Sequence, residues 1–339
     1  MTARAGDRRL TFPATEIDAA DVHALTRQVW TAHADLRLQP AALQETVDDV
    51  AGELRQTGGL VVREGVGGPL LAAVRFSEHD SGFWLRRLAV RADVRREGLA
   101  THLADVADSV ARDRGYDEIR IRVRAPLRQV TDFWRRLGFH DHADHGHWVE
   151  LARPVSVVLG VPTAADMHRL GRRLAELLRA GDLVVLTGDL GAGKTTLTRG
   201  VGEGLGVRGA VTSPTFVIAR VHPSTVGGPA LVHVDAYRLE SLAEVDDLDL
   251  DASVSDSVTV VEWGQGKVED LTESRLEMEV RRSAGDGDES RTVVVRPRGG
   301  RWSAADMRRL TAGDERADGS FDGPTDDSAG GPPDESADG

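Results

Sequence analysis

The chain has 339 residues, a formal net charge of −13 at pH 7 and no cysteine. This length is typical of two domains. The lack of cysteine excludes disulfides, thiolate catalysis and sulfur-based zinc sites, and the acidic charge argues against non-specific nucleic-acid binding. Since no run of about 18 apolar residues and no signal-peptide pattern occurs, the sequence predicts a cytoplasmic protein without membrane contact.

Residues 1–153 predict a mixed α/β domain, because helical and strand spacings of apolar residues alternate along them. Helices are predicted over residues 20–33, 41–56, 98–114 and 129–137. Strands are predicted over residues 59–64, 70–76, 83–90 and 118–123. The pattern restarts after Arg153 and Pro154, which places the predicted domain boundary there.

Residues 154–311 predict a second α/β domain. Its strands are predicted over residues 155–159, 183–187, 216–221, 230–235, 258–262, 275–281 and 292–297, and its helices over residues 164–179 and 195–205. The polar, glycine-rich segment 283–290 favours a hairpin connection. Residues 312–339 are dominated by Gly, Pro, Ser and Asp, which predicts a disordered acidic tail.

A phosphate-binding motif follows the predicted strand 183–187. Backbone N–H groups of such a loop surround phosphate oxygens, while its lysine meets the β- and γ-phosphates and its hydroxyl faces magnesium. Lys194 is one of only two lysines in the chain, so its place here is hard to call accidental. The pattern therefore predicts binding of ATP with Mg²⁺. The pattern G-x-x-x-x-G-K-[ST] and the residue after it comprise Gly188, Asp189, Leu190, Gly191, Ala192, Gly193, Lys194, Thr195 and Thr196.

Two carboxylates end predicted strands of the same domain. Asp235 follows the apolar run from Leu231, and Glu262 follows the run from Val258. ATP hydrolysis of this class needs an acid at a strand end to hold magnesium or to orient water. Either residue suits either role, and an ordinary strand-terminal acid is the alternative for each.

The motifs together resemble the bacterial TsaE (YjeE) family over about residues 155–302. The resemblance implies a P-loop ATPase that serves the threonylcarbamoyladenosine modification of tRNA. It further implies a TsaB–TsaD heterodimer as partner, with tRNA reached only through that complex. The matching segments are residues 188–196, then Ser213, Pro214, Thr215 and Phe216, then residues 233–239, then Glu262, Trp263 and Gly264.

The resemblance also implies roles for single residues. Lys194, Asp235 and Glu262 would be catalytic, and Thr195 and Glu262 would hold magnesium. Thr215 would lie in a switch-like loop, and Tyr237 and Arg238 near the nucleotide or the partner. Trp263 would pack or meet a partner. Met167 stands where the family usually has threonine, which leaves the contacts of the adenine open.

The N-terminal domain carries the pattern R-x-x-G-x-A between a predicted strand and helix. A turn of this kind aims backbone N–H groups at an anion. Together with residues 133–139 it resembles the GNAT acyltransferases over about residues 8–151. The resemblance implies that the pyrophosphate of acetyl-CoA lies on the loop of Arg95, Arg96, Glu97, Gly98, Leu99 and Ala100.

Catalysis by this domain depends on which residues could supply an acid and a base. Trp134 stands where many GNAT enzymes have a tyrosine, and an indole cannot protonate a departing thiolate. Glu78, His79 and Asp80 are candidates for a general base, but a polar turn is the favoured interpretation. Four histidines between His140 and His147 suggest a metal site, against a favoured solvated hairpin.

The leading hypothesis is an ATPase that supports tRNA modification, fused to an acyltransferase-like domain. A second hypothesis is an assembly module in which ATP switches docking and the GNAT fold is not catalytic. A third is an acetyl-CoA-dependent N-acetyltransferase regulated by ATP.

Overall fold

A computed structural model of the chain describes residues 9–31, 41–79, 82–125, 127–214, 218–238, 255–268, 271–283 and 290–312. Several predicted features lie outside these ranges: Asp80, Thr215 with its switch-like loop, residues 284–289 of the hairpin loop and residues 313–339 of the tail. Within the described ranges, no helix has the length and apolar character that crossing a membrane requires.

The N-terminal half is a seven-stranded sheet with helices on both faces. Its strands are β1 (Arg9–Ala14), β2 (Gly59–Glu64), β3 (Leu70–His79), β4 (Gly82–Val90), β5 (Glu118–Arg124), β6 (His140–Asp144) and β7 (Trp148–Pro154). Its helices are α1 (Ala19–Thr31), α2 (Val47–Gln56), α3 (Leu99–Asp113) and α4 (Arg128–Arg136). Separate apolar clusters lie beneath the α1–α2 pair and beneath the α3–α4 pair.

One pairing in this sheet is parallel and short. The strand order is β1-β2-β3-β4-β5-β7-β6, and only β4 and β5 run parallel. They pair from Phe83 to Leu85 with Ile119 to Ile121, so the rest of β4 diverges from β5. Arg87 adopts a left-handed backbone within the divergent part, at φ +53°. The predicted strands and three of the four predicted helices of this half are present, in a sheet that opens toward the carboxyl end of β4.

The C-terminal half is a second seven-stranded sheet. Its strands are β8 (Val157–Val161), β9 (Leu183–Thr187), β10 (Ala219–His222), β11 (Ala230–Asp235), β12 (Ser257–Glu262), β13 (Arg275–Arg282) and β14 (Arg291–Arg298). Its helices are α5 (Ala164–Ala175), α6 (Lys194–Gly204) and α7 (Ala304–Thr311).

The order of the second sheet brings the predicted motifs to one edge. The order is β10-β11-β12-β9-β13-β14-β8, and β11, β12, β9 and β13 are mutually parallel. Their carboxyl ends therefore lie together, which is where parallel α/β sheets bind ligands. The largest apolar cluster packs this sheet against α5, α6 and α7, and a smaller one covers the other face.

Several predicted elements differ from the structure at their ends, and three of these differences have a visible cause. The predicted helix 41–56 is broken, because Thr46 is extended (φ −96°, ψ 169°) and caps α2 through a bond from the Asp49 N–H. The strand predicted from Val155 begins two residues later, since Val155 packs in the N-terminal core. The helix predicted over residues 164–179 ends at Ala175. The carbonyl of Leu177 accepts a hydrogen bond from Arg301 at 2.7 Å.

The two sheets meet at the turn after α4. The Leu137 carbonyl accepts hydrogen bonds from Arg153 of β7 and from Arg298 of β14, each at 2.8 Å. The N–H of Gly299 also donates to the Gly138 carbonyl at 3.0 Å. Because Arg298 is simultaneously paired with Glu277 of β13 at 2.8 Å, this turn is bonded into the second sheet.

Candidate nucleotide site

The phosphate loop runs from the end of β9 to the start of α6. Gly188 has φ +134°, and a Cβ there would lie 2.1 Å from the Val280 carbonyl, so only glycine fits. Gly193 is the left-handed N-cap of α6 at φ +114°. Ala192 is buried, whereas Asp189 and Leu190 are exposed at the tip. The strand–loop–helix order that the motif requires is therefore present.

Lys194 is folded back onto its own loop. Its Nζ donates to the carbonyls of Gly188 at 2.7 Å and Asp189 at 2.9 Å. Burial lowers the pKa of this ammonium, and the carboxylates of Glu262 and Asp235 only partly offset that effect. Phosphate oxygens would be stronger partners than two neutral carbonyls, because they carry charge. The lysine is therefore placed to exchange its loop contacts for a phosphate.

Thr195 and Glu262 are joined across the edge of the sheet. The Thr195 hydroxyl donates to Oε2 of Glu262 at 3.1 Å, and Glu262 is only 3% exposed. A hydroxyl and a carboxylate oxygen are the donor types that magnesium prefers, so this pair fits that cation. The other carboxylate oxygen, Oε1, lies 2.9 Å from Nε2 of the buried His233.

Asp235 lies beside Glu262 in register on the neighbouring parallel strand. Its Oδ1 accepts the Tyr237 N–H at 3.1 Å, and its Oδ2 accepts the Ser213 hydroxyl at 3.4 Å. The side chain is nearly buried, at 5% exposure. The structure thus brings Lys194, Thr195 and both predicted acids to one edge. Their separate roles stay a prediction.

Trp263 has a contact that its sequence context did not indicate. Nζ of Lys194 lies 3.8 Å from the centroid of the Trp263 ring, a cation–π distance. The Trp263 backbone is left-handed at φ +63°, and its N–H donates to the Leu186 carbonyl at 2.8 Å. Tyr237 meets the same ring edge-on at 5.1 Å. The tryptophan therefore covers the ammonium, and the sequence carries no signal of that geometry beyond adjacency to Glu262.

The second lysine lies at the same edge. Nζ of Lys267 donates to the Ala236 carbonyl at 2.6 Å, which ties the loop after β12 to the turn after β11. Met167, on α5, is 1% exposed and lies 3.5 Å from the position of a Cβ on Gly193. Met167 packs beneath the phosphate loop. Its side chain has no hydroxyl, unlike the threonine that the family usually has at this position.

The predicted acetyl-CoA loop joins β4 to α3 at the open end of the first sheet. Arg96 and Gly98 both have left-handed backbones, at φ +66° and +81°, and Gly98 is the N-cap of α3. Arg95 is exposed, Glu97 is paired with Arg9, and Ala100 lies in the first turn of the helix. A left-handed turn at a helix N-terminus is the backbone arrangement that anion binding uses.

Trp134 and the candidate bases of this domain are held by other contacts. Trp134 is buried at 6% exposure and packs edge-on against Phe139 at 5.1 Å. Glu78 is paired with Arg114 at 2.6 Å, and His79 stacks on Trp84 at 4.5 Å. Both bases pair with the first residues of β4, at the opposite end of that strand from the loop. Their placement favours the polar-turn interpretation.

The histidine-rich segment forms a hairpin between β6 and β7. The strands pair antiparallel, and Gly146 at φ +75° makes the turn. The ring of His145 stacks on that of Trp148, with the two centroids 3.8 Å apart. Within the described ranges, three or more His, Asp or Glu side chains nowhere gather in a way that could hold a metal. The hairpin predicted from the sequence is confirmed.

Two family models match the chain. The family described as "Threonylcarbamoyl adenosine biosynthesis protein TsaE" matches residues 161–293, and the "Acetyltransferase (GNAT) family" matches residues 24–139. The expected pair of folds, a GNAT domain followed by a P-loop domain, is thereby confirmed.

Several curated relatives of the chain bear the name tRNA threonylcarbamoyladenosine biosynthesis protein TsaE, and three of them illustrate the range of identity. That of Streptomyces coelicolor is 71% identical over 143 residues, which cover 42% of this chain and 97% of the relative. That of Mycobacterium bovis is 50% identical, with 36% and 77% covered. That of Bacillus subtilis is 38% identical, with 40% and 83% covered.

Proposed function

The chain belongs to the TsaE family, and from that premise we propose that its C-terminal domain binds and hydrolyses ATP in the synthesis of threonylcarbamoyladenosine in tRNA. One observation carries the hydrolytic part: Thr195 donates to Glu262 at 3.1 Å beside the buried Lys194. A hydroxyl, an acid and a lysine at the end of a phosphate loop are the parts that phosphoryl transfer uses.

The proposed mechanism assigns each residue a task. Loop N–H groups between Gly188 and Thr196 bind phosphate oxygens, and Lys194 leaves its two carbonyl acceptors for the β- and γ-phosphates. Thr195 and Glu262 would hold magnesium, which when bound neutralises charge on those oxygens. Asp235, fixed by the Tyr237 N–H, then orients the attacking water.

We propose a TsaB–TsaD-like heterodimer as the partner, with tRNA reached through it, in the cytoplasm. Exposed apolar side chains flank the nucleotide edge, since Leu190 is 82% and Tyr237 61% exposed. Such residues beside a nucleotide site suit a protein partner that senses its occupancy. ATP turnover would then reset the transferase complex between cycles.

The GNAT match supports a second activity for residues 1–153, acyl transfer from acetyl-CoA to an amine. The divergence of β4 from β5 and the loop around Gly98 favour coenzyme binding. The buried Trp134 favours the alternative that the fold only docks. The division into residues 1–153, 154–311 and 312–339 stays part of this proposal.

The test of the ATPase function is steady-state ATP hydrolysis with and without the heterodimer, together with the threonylcarbamoyladenosine content of bulk tRNA after depletion of the protein. Glu262→Ala should bind ATP yet support a single round of modification. Many rounds by that variant would remove the hydrolytic role of Glu262. Unchanged tRNA modification after depletion would remove the pathway role.

A further inference from the structure

His233 occupies the middle of β11 and is completely buried. Its side chain shares a face of the sheet with Leu231 and Asp235, two residues away on either side, because side chains of a strand alternate between faces. Leu231 on that face belongs to the apolar core. An apolar residue would satisfy the packing, so an imidazole here needs another reason.

The only hydrogen-bond partner that the ring has in the described part of the chain is Glu262. A carboxylate can only accept a hydrogen bond, so the ring donates from Nε2 to Oε1 across 2.9 Å. Nδ1 is buried without a hydrogen-bond partner among the described residues. A buried nitrogen without a partner lowers the stability of the fold. The bond to Glu262 is the one interaction that explains an imidazole at this position.

The two oxygens of Glu262 are thereby given different environments. Oε1 is bonded to His233, and Oε2 receives the Thr195 hydroxyl at 3.1 Å. Rotation of the carboxylate would break both bonds at once. The imidazole therefore fixes which oxygen faces the phosphate loop.

We propose that His233 is a positioning residue of the ATP site, which orients Glu262 for its work without touching nucleotide or magnesium. The inference rests on the proposed ATPase function and adds a residue to it. Its basis is the pair of hydrogen bonds that the carboxylate accepts, one from the His233 imidazole and one from the Thr195 hydroxyl, at different oxygens and from the neighbouring elements β11 and α6.

The chain allows a matched pair of substitutions. Nε2 of glutamine lies about as far along the side chain as Nε2 of histidine, whereas the asparagine amide corresponds to Nδ1. His233→Gln should therefore keep the bond to Glu262, and His233→Asn should lose it. His140→Asn is the control, because His140 is a half-buried histidine on β6 of the other sheet and its Nδ1 has no hydrogen-bond partner among the described residues.

The measurements are kcat per titrated ATP site, the Kd for ATP, and the melting temperature of each variant with the full chain. We expect His233→Asn to lower kcat roughly 10- to 100-fold, the effect of one hydrogen bond to a charged group, with little change in Kd. His233→Gln should restore most of that loss, and His140→Asn should leave kcat and the Kd for ATP as in wild type. Normalising to titrated sites removes any contribution from unfolded protein.

Equal kcat in His233→Asn and wild type would overturn the inference, as would an equal loss in the Gln and Asn variants. If wild type binds ATP with magnesium but never turns it over, the proposed function fails by itself. The magnesium concentration for half-maximal ATP binding then decides the inference. A rise in His233→Asn that His233→Gln reverses supports it, and no rise overturns it.

Discussion

Nζ of Lys194 lies 3.8 Å from the centre of the Trp263 ring while it donates to two carbonyls of its own loop. The indole is thus in direct contact with the charge that phosphate recognition must move. Trp263 is therefore a built-in reporter of the nucleotide site.

Adding ATP should change the tryptophan fluorescence, because the ammonium moves away from the Trp263 ring toward phosphate. Trp263→Phe should abolish most of the change while leaving Kd, measured by calorimetry, within a few-fold of wild type. The control is Trp302→Phe, since Trp302 also has a cation over its ring, Arg301 at 4.3 Å, but lies in the core against α7. A full response in Trp263→Phe would contradict the assigned contact.

Gly138→Ala should loosen the joint between the two sheets. Gly138 has φ +88°, and a Cβ there would lie 2.7 Å from the Cα of Arg298. The backbone strain alone costs about 1–2 kcal/mol, and the clash with main chain adds to it. Calorimetry should therefore show a lower melting temperature and separate transitions for the two domains.

Gly146→Ala is the matched control for that substitution. Gly146 has a similar φ of +75°, but a Cβ there meets nothing within 4 Å. This variant should be less stable because of the strained backbone, but its two domains should not unfold in separate transitions. Equal scans for the two variants would mean that the turn after α4 does not hold the domains together.

Glu277 should make the joint sensitive to acid. Burial alone raises the pKa of this carboxyl, but Arg298 and Arg275 outweigh it, and the pKa lies below the usual 4.5. A lowered pKa contributes stability that is complete above the unfolded value and is lost as pH falls through the folded value. Glu277→Gln should thus destabilise by about 1–3 kcal/mol at neutral pH.

The difference between wild type and Glu277→Gln should shrink once the pH falls below 4.5, the usual value. Chemical denaturation at a series of pH values measures this difference in the free energy of unfolding. Glu176→Gln, at an exposed site on the end of α5, should show no such trend. A gap between wild type and Glu277→Gln that persists at the lowest pH would exclude the ion pairs as its source.

Acetyl-CoA should stabilise the N-terminal domain if the loop around Gly98 binds it. At 100 times its Kd the gain in unfolding free energy is about 2.7 kcal/mol, which a thermal scan detects. Arg95→Glu combined with Arg96→Glu should weaken the response, because both side chains flank the left-handed turn. The response to ATP serves as the internal control, and absence of an acetyl-CoA shift would favour a docking role.

The sequence was most informative where chemistry follows a local pattern. The phosphate loop, the acids Asp235 and Glu262 and most strands follow from spacing, because strand ends in a parallel sheet share one edge. The contact of Arg298 with Leu137 joins residues 161 positions apart and has no local signal. The ring of Trp263 reaches Lys194 only through a left-handed backbone, which propensity does not favour for tryptophan.

The helix break at Thr46 shows the other kind of limit. Threonine followed three residues later by Asp49 is a capping pattern, yet the apolar spacing around it continues without interruption. Helical periodicity alone therefore favours one continuous helix there. Strand β1 is absent from the predicted elements because Arg9–Ala14 is short and only partly buried.

The two lysines of the chain, Lys194 and Lys267, both lie at the carboxyl edge of β9, β11 and β12. Everywhere else, positive charge is carried by arginine, which amine-directed reagents leave untouched. Once the α-amino group is blocked, an amine label on this protein is therefore a footprint of one edge, and its protection by nucleotide can be read by intact-mass spectrometry without locating the label. Because the chain has only these two lysines, acylation of a lysine side chain by any donor would fall at the nucleotide edge.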